Sequence, residues 1–86
     1  MKQVLYFYLN GCPYCRQAER WTEEVLREHP EYAAVEVRKV EERREWDFAN
    51  TFDYYYVPTF YVDGVKVHEG AASKAAIESV YQKALS

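Results

Sequence analysis

Eighty-six residues leave room for one domain, residues 1–86, which excludes an arrangement with separate catalytic and cofactor domains. The chain is 49% hydrophobic and 17% aromatic with 29% charged residues, the balance of a folded globular domain with a thin core. Eleven basic against fourteen acidic residues give a net charge of −3, which argues against a nucleic-acid binder, whose Lys and Arg must displace phosphate counterions.

Met1-Lys2 followed by an apolar run from Val4 to Leu9 has the outline of a leader, but the run stops after six residues at Asn10-Gly11 with no cleavage pattern behind it. Apolar on both parities, residues 2–9 instead predict a central strand covered on two faces. No stretch reaches membrane-spanning length, and the expected location is cytoplasmic, where thiols are kept reduced. From Pro13 the spacing changes. Cys15, Ala18, Thr22, Val25, Leu26 and His29 recur at three and four, an amphipathic helix that Pro13 suits at its first turn and Pro30 stops. Alternation over residues 33–40 predicts a second strand. Glu41-Glu42 then read as acids in the first turn of a short helix to about Thr51, and the charges of Glu41 to Glu45 as its solvated start. After an aromatic connector, residues 59–62 and 65–68 flank Asp63-Gly64, a pair that supplies the positive φ angles of a two-residue hairpin turn. Gly70 to Ala72 form a loop, and Ser73 can cap a last helix whose apolar face is Ala76, Ile77, Val80, Tyr81 and Ala84. The order is β-α-β-α-β-β-α. A right-handed crossover makes the first two strands parallel neighbours, the hairpin adds an antiparallel pair, and helices cover both faces of the resulting four-stranded mixed sheet.

Cys12-Pro13-Tyr14-Cys15 stands where the first strand hands over to the first helix. At the helix start, unpaired N–H groups and the dipole stabilise an anion, so Cys12 should ionise more easily than a free thiol. Cys15 follows one turn later, close enough to resolve a mixed disulfide formed on Cys12. A closed zinc site would need two further soft ligands, and His29 and His68 are too far apart in sequence to supply the usual pair; no metal is expected. Val57-Pro58 opens the hairpin strand, with a peptide bond that can be trans or cis. Tyr54-Tyr55-Tyr56 can shield the core edge or offer an aromatic wall to a peptide.

Together these residues resemble the glutaredoxin and thioredoxin superfamily. Cys12-Pro13-Tyr14-Cys15 is similar to the dithiol active site of glutaredoxins, and Val57-Pro58-Thr59-Phe60 to the superfamily's cis-proline segment. Gly70-Ala71-Ala72-Ser73-Lys74 resembles the thioredoxin ending. The resemblance implies a thioredoxin fold, with Cys12 as nucleophile, Cys15 as resolving thiol and Pro58 as a cis proline packed against them. It implies that Val57 pairs its backbone with substrate, that Tyr14 lines the groove, and that the loop with Gly70, Ala72 and Ser73 stands where glutaredoxins hold glutathione. Three glutathione-holding groups of the glutaredoxin pattern are replaced, at Leu9, Tyr56 and the last loop, while Gly11 and Tyr6 replace a thioredoxin Trp and buried Asp.

The function implied is a thiol–disulfide oxidoreductase acting on protein or glutathione mixed disulfides. It would work as a monomer without a tightly bound cofactor, with glutathione as a co-substrate or a thioredoxin-reductase-like donor. Alternatives are an iron–sulfur or metal carrier with Cys12 as ligand, and a non-catalytic thioredoxin-fold interaction module.

Overall fold

In the computed structural model, which describes residues 2–86, the chain forms β1 (Val4–Tyr8), α1 (Pro13–Glu28), a 3-10 turn (Pro30–Ala34), β2 (Val37–Glu41), α2 (Trp46–Ala49), β3 (Thr59–Val62), β4 (Val65–Glu69) and α3 (Lys74–Leu85). The sheet runs β2-β1-β3-β4. β1 and β2 are parallel, while β1–β3 and β3–β4 are antiparallel. The four-stranded mixed sheet and the β-α-β-α-β-β-α order expected from the sequence are the ones observed.

Alternation along the two central strands sorts the core into two layers. Val4 and Tyr6 of β1 with Phe60 and Val62 of β3 face α1 and α3, where Ala18, Val25, Ile77, Val80, Tyr81 and Ala84 meet them. Phe7 and Tyr61 point the other way and join Val40 and Ala49, with Phe48, Phe52 and Tyr54 packed around them. Both faces of β3 are therefore covered, and all four of its residues are buried. No helix among the described residues is long and apolar enough to cross a membrane.

Three local devices behave as their sequences dictate. Pro13 sits in the first turn of α1. Asp63 and Gly64 take φ of 52° and 81°, which closes the β3–β4 hairpin. The Ser73 side chain accepts a hydrogen bond from the Ala76 N–H at 3.1 Å and caps α3.

β1 is shorter at both ends than residues 2–9, and two boundaries differ from expectation by four residues or more. The second strand begins at Val37 rather than residue 33, because Pro30, having ended α1, starts a tight turn of its own with Tyr32 N–H bonded to His29 C=O and Val35 N–H to Tyr32 C=O. That turn buries Tyr32, whose ring stacks on Tyr81 at 5.4 Å between centroids. The short helix also starts late, at Trp46 rather than Glu41. Glu41 is the last residue of β2, only 7% exposed, and its carboxylate accepts the N–H groups of Arg43 and Arg44 at 2.7 and 3.2 Å. Those two donors are tied into a turn instead of opening a helix, so Glu41 is not part of a solvated face.

Candidate active site

Strand register decides which loops meet. β1 and β2 are parallel and end side by side, with Tyr8 opposite Glu41. β3 is antiparallel to β1, so its first residue, Thr59, lies opposite Phe7, and β4 ends with Glu69 opposite Thr59. The segments that follow β1, β2 and β4, and the one that precedes β3, therefore gather at one end of the sheet. This places Cys12, Glu41, Val57-Pro58 and Gly70 at the same rim although they are spread over most of the chain. The Val57–Pro58 peptide bond is cis, and the Pro58 C=O accepts the Gly70 N–H at 2.8 Å.

Cys12 is the N-cap residue of α1 and is partly exposed; Cys15 is 1% exposed, and both are free thiols. Partial burial alone would raise the Cys12 pKa, but it is outweighed by the Cys15 N–H and side chain, the Tyr14 N–H and the Arg16 guanidinium, and the net displacement is downward. No side-chain hydrogen bond caps α1 while Cys12 is a neutral thiol, so the thiolate is the form that uses those free N–H groups. Cys15 moves the opposite way. Burial first, then the neighbouring Cys12 as hydrogen-bond partner and competing anion, bring it up to about 12 against lowering contributions from the Leu9 backbone and the Tyr6 side chain. One thiol is poised to ionise and reachable; its neighbour keeps its proton and is enclosed.

The loop that carries Cys12 is braced from below. Glu41 Oε2 accepts the Asn10 N–H at 3.1 Å, and Cys12 N–H bonds to Leu9 C=O at 3.3 Å. The N–H of Asn10, then those of Arg43 and Arg44, hold the Glu41 carboxyl below the usual carboxylate range. The connector before Pro58 has a similar anchor. Glu69 accepts the N–H groups of Tyr55 and Tyr56 at 2.6 and 3.0 Å while paired to Lys66 at 2.7 Å, and Lys66 first, then those N–H groups, bring its carboxyl down to about 2. Thr59 Oγ1 donates to Tyr56 C=O. Tyr54 takes the core-shielding place, packed on Phe7 and donating to Glu42 Oε1 at 2.7 Å, whereas Tyr55 and Tyr56 are 86% and 70% exposed.

The remaining expected site residues fall as follows. Tyr14, in the first turn of α1, is largely exposed. Val57 is half-buried against the Phe7 layer, and among the described residues no hydrogen bond involves its backbone N–H or C=O. Ala72 packs against the α1/α3 layer, and Ser73 spends its hydroxyl oxygen on the α3 cap. Of the two histidines, His29 lies at the end of α1 near Glu31 and Glu78, and His68 lies under the last loop of the rim, its Nε2 at 3.0 Å from Gly70 C=O and Ala71 C=O. Among the described residues, the clustered ligating side chains are Glu28, His29 and Glu78, remote in sequence from both cysteines.

A family model described as a thioredoxin domain matches residues 3–82. The chain belongs to the thioredoxin-domain family. The fold agrees: the thioredoxin of Fasciola hepatica is 24% identical with a TM-score of 0.68, over 95% of this chain and 79% of that one. The Plasmodium falciparum thioredoxin is 20% identical with a TM-score of 0.72, over 95% and 80% of the two chains. A malarial protein is 17% identical at 0.73, over 100% of this chain and 99% of that one. No curated protein sequence matches. As a thioredoxin domain with neighbouring Cys12 and Cys15 at the start of α1, the molecule has the construction of a thiol oxidoreductase. Two features of this thioredoxin domain had no sequence signal of their own, the Glu41 brace and the hydrogen bond that the Tyr6 hydroxyl donates to the Cys15 C=O at 3.4 Å. Glu41 could have been suspected from its place at the end of a strand parallel to β1.

Proposed function

We propose that the protein is a thiol–disulfide oxidoreductase that reduces disulfides in proteins, or mixed disulfides with glutathione, through Cys12 and Cys15. The observation that carries this is the divergence of the two thiols, Cys12 displaced toward the thiolate and partly exposed, Cys15 buried with its pKa at about 12. The thiolate is the attacking species in disulfide exchange.

Cys12 attacks one sulfur of the substrate disulfide, that S–S bond breaks, and the departing sulfur leaves with the electron pair and takes a proton. Cys15 then gives up its proton and attacks the Cys12 sulfur. The Cys12–Cys15 bond forms, the second substrate sulfur leaves as a thiol, and two electrons have passed from enzyme to substrate. A dithiol donor reverses the last state. The exchange balances in sulfur chemistry alone, without a bound cofactor or metal.

Substrate would lie along the rim. The unpaired backbone of Val57 beside Pro58 suits an extended segment, and Tyr14 offers an aromatic face next to Cys12. The loop of Gly70, Ala72 and Ser73, fastened to Pro58 and leading into α3, would receive a carboxylate of glutathione at the helix start.

The test is reduction of insulin disulfides and of a glutathione mixed disulfide, each with glutathione plus its reductase, with thioredoxin reductase, or with dithiothreitol. Turnover above the protein-free rate is expected with dithiothreitol and with at least one enzymatic donor, and the donor that works identifies the physiological type. Absence of turnover with every donor would refute the reading.

A further inference from the structure

At the opposite end of α1 from Cys12, about 25 Å away at about 1.5 Å per helical residue, α1 and α3 meet around one imidazole. His29 is the C-cap residue of α1, and its ring stacks on Tyr32 at 4.7 Å between centroids, which in turn stacks on Tyr81 of α3. That packing fixes where the two ring nitrogens point. Nδ1 lies 3.6 Å from Glu31 Oε2, and Nε2 lies 3.5 Å from Glu78 Oε2 on α3. Glu28, in the last turn of α1, adds a third donor, and ligand atoms of Glu28, His29 and Glu78 all lie within 4.8 Å of one another.

A neutral imidazole has one N–H, so it serves Glu31 or Glu78 but not both, and the other carboxylate then faces a nitrogen lone pair. A cation placed between Nε2 and Glu78 turns that opposition into two bonds. The spacing is the one such an ion needs. Donors held about 2.0–2.2 Å from a tetrahedral zinc ion stand about 3.3–3.6 Å apart, and Nε2 and Oε2 are separated by 3.5 Å. The surroundings favour a cation as well. Among the described residues paired here, the carboxylates of Glu24, Glu28, Glu31 and Glu78 outnumber the ammonium of Lys74, which bridges Glu24 Oε1 and Glu28 Oε2 at 3.1 and 2.5 Å. The carbonyls at the C-terminal end of α1 add further partial negative charge.

We propose that Glu28, His29 and Glu78 form a zinc site that ties the end of α1 to α3, with water in the fourth position. The ligands are His29 Nε2 and one oxygen each of Glu78 and Glu28, a mixed set that suits zinc, whereas calcium and magnesium take all-oxygen shells. Glu31 accepts the Nδ1–H and fixes the tautomer, as carboxylate partners of ligating histidines do. Glu28 keeps Lys74 on Oε2 and turns Oε1 to the metal, since a carboxylate has two acceptor oxygens. Sequence spacing offers His29 no second histidine; the packing of α3 supplies carboxylates instead. Because the unfolded chain does not hold these donors together, the ion stabilises the folded state and links two helices whose buried faces already meet.

The test uses the full chain carrying Cys12→Ser, which removes the reachable thiol and leaves Cys15 enclosed at 1% exposure, so that zinc binding is read without thiolate coordination. Zinc chloride titrated against a chromophoric chelator should fill one site per chain. Affinity should fall at least about tenfold on adding His29→Phe, which keeps the ring stack on Tyr32, and likewise on adding Glu78→Gln, which keeps the side-chain shape. In thermal unfolding of the same proteins, zinc should raise the midpoint of the Cys12→Ser chain, equal calcium chloride should leave it in place, and Glu78→Gln should cancel the zinc shift. Absence of bound zinc, affinities within about twofold across the three proteins, or an equal midpoint shift from calcium would each overturn the site. These readings are independent of disulfide turnover, so the zinc site and the oxidoreductase reading stand or fall separately.

Discussion

Replacing Cys12 with Ser is expected to lower disulfide turnover by at least about a thousandfold, to the uncatalysed level, with the fold intact. The reason lies in what the α1 N-terminus stabilises. The N–H groups of Tyr14 and Cys15 and the Arg16 guanidinium favour an anion at position 12, and a thiol can supply one near neutral pH whereas a serine hydroxyl cannot. Serine also forms no covalent bond equivalent to the mixed disulfide. The buried Cys15, with its pKa at about 12 and 1% exposure, is no substitute nucleophile. The lowered Cys12 pKa also links to stability with a definite sign: the thiolate contribution is present above the ordinary thiol pKa and is lost as pH falls through the depressed value. The check is steady-state reduction of insulin disulfides by dithiothreitol with each protein at equal concentration. Substantial retained turnover would remove Cys12 from the mechanism.

Phe7→Ala should cost about 3–5 kcal/mol of folding stability. Phe7 is 0% exposed and is the centre of the second core layer, with the rings of Phe52, Tyr54 and Tyr61 at 4.9, 5.0 and 5.8 Å. Truncation removes the transfer energy of a whole ring and opens a void that α2, with only four residues, must collapse to fill. Small native domains have about 5–15 kcal/mol in total, so the loss is a large share. In thermal unfolding it corresponds to at least about 12 °C in midpoint for a domain of this length. Val65→Ala, on the exposed edge strand at 66% exposure, should change stability by less than about 0.5 kcal/mol. A Phe7→Ala cost below about 1 kcal/mol would contradict the two-layer core.

What could be read in the sequence and what could not divide along a physical line. The Cys12-Cys15 spacing, the Asp63-Gly64 turn and the Ser73 cap depend on neighbours within a few residues, and the structure realises all three. Glu41 departs from the sequence expectation because its place at the end of β2, with one carboxylate oxygen on the Asn10 N–H 31 residues away, exists only once β1 and β2 pair. The 3-10 turn at Pro30 followed from a burial site for Tyr32 that only the packing of α3 creates. Tyr54, Tyr55 and Tyr56 are chemically alike in sequence, and their division between core and surface is set by the Phe7 layer on one side and the Glu69 anchor on the other.

The most direct test is to trap the first covalent state. Cys15→Ser protein, mixed with a slight excess of a disulfide substrate, quenched in acid and weighed intact before peptide mapping, should carry one substrate thiol per chain, attached at Cys12 and released by dithiothreitol. No adduct, or an adduct confined to another residue, would contradict the assignment of Cys12 as the attacking thiolate and Cys15 as the group that resolves it.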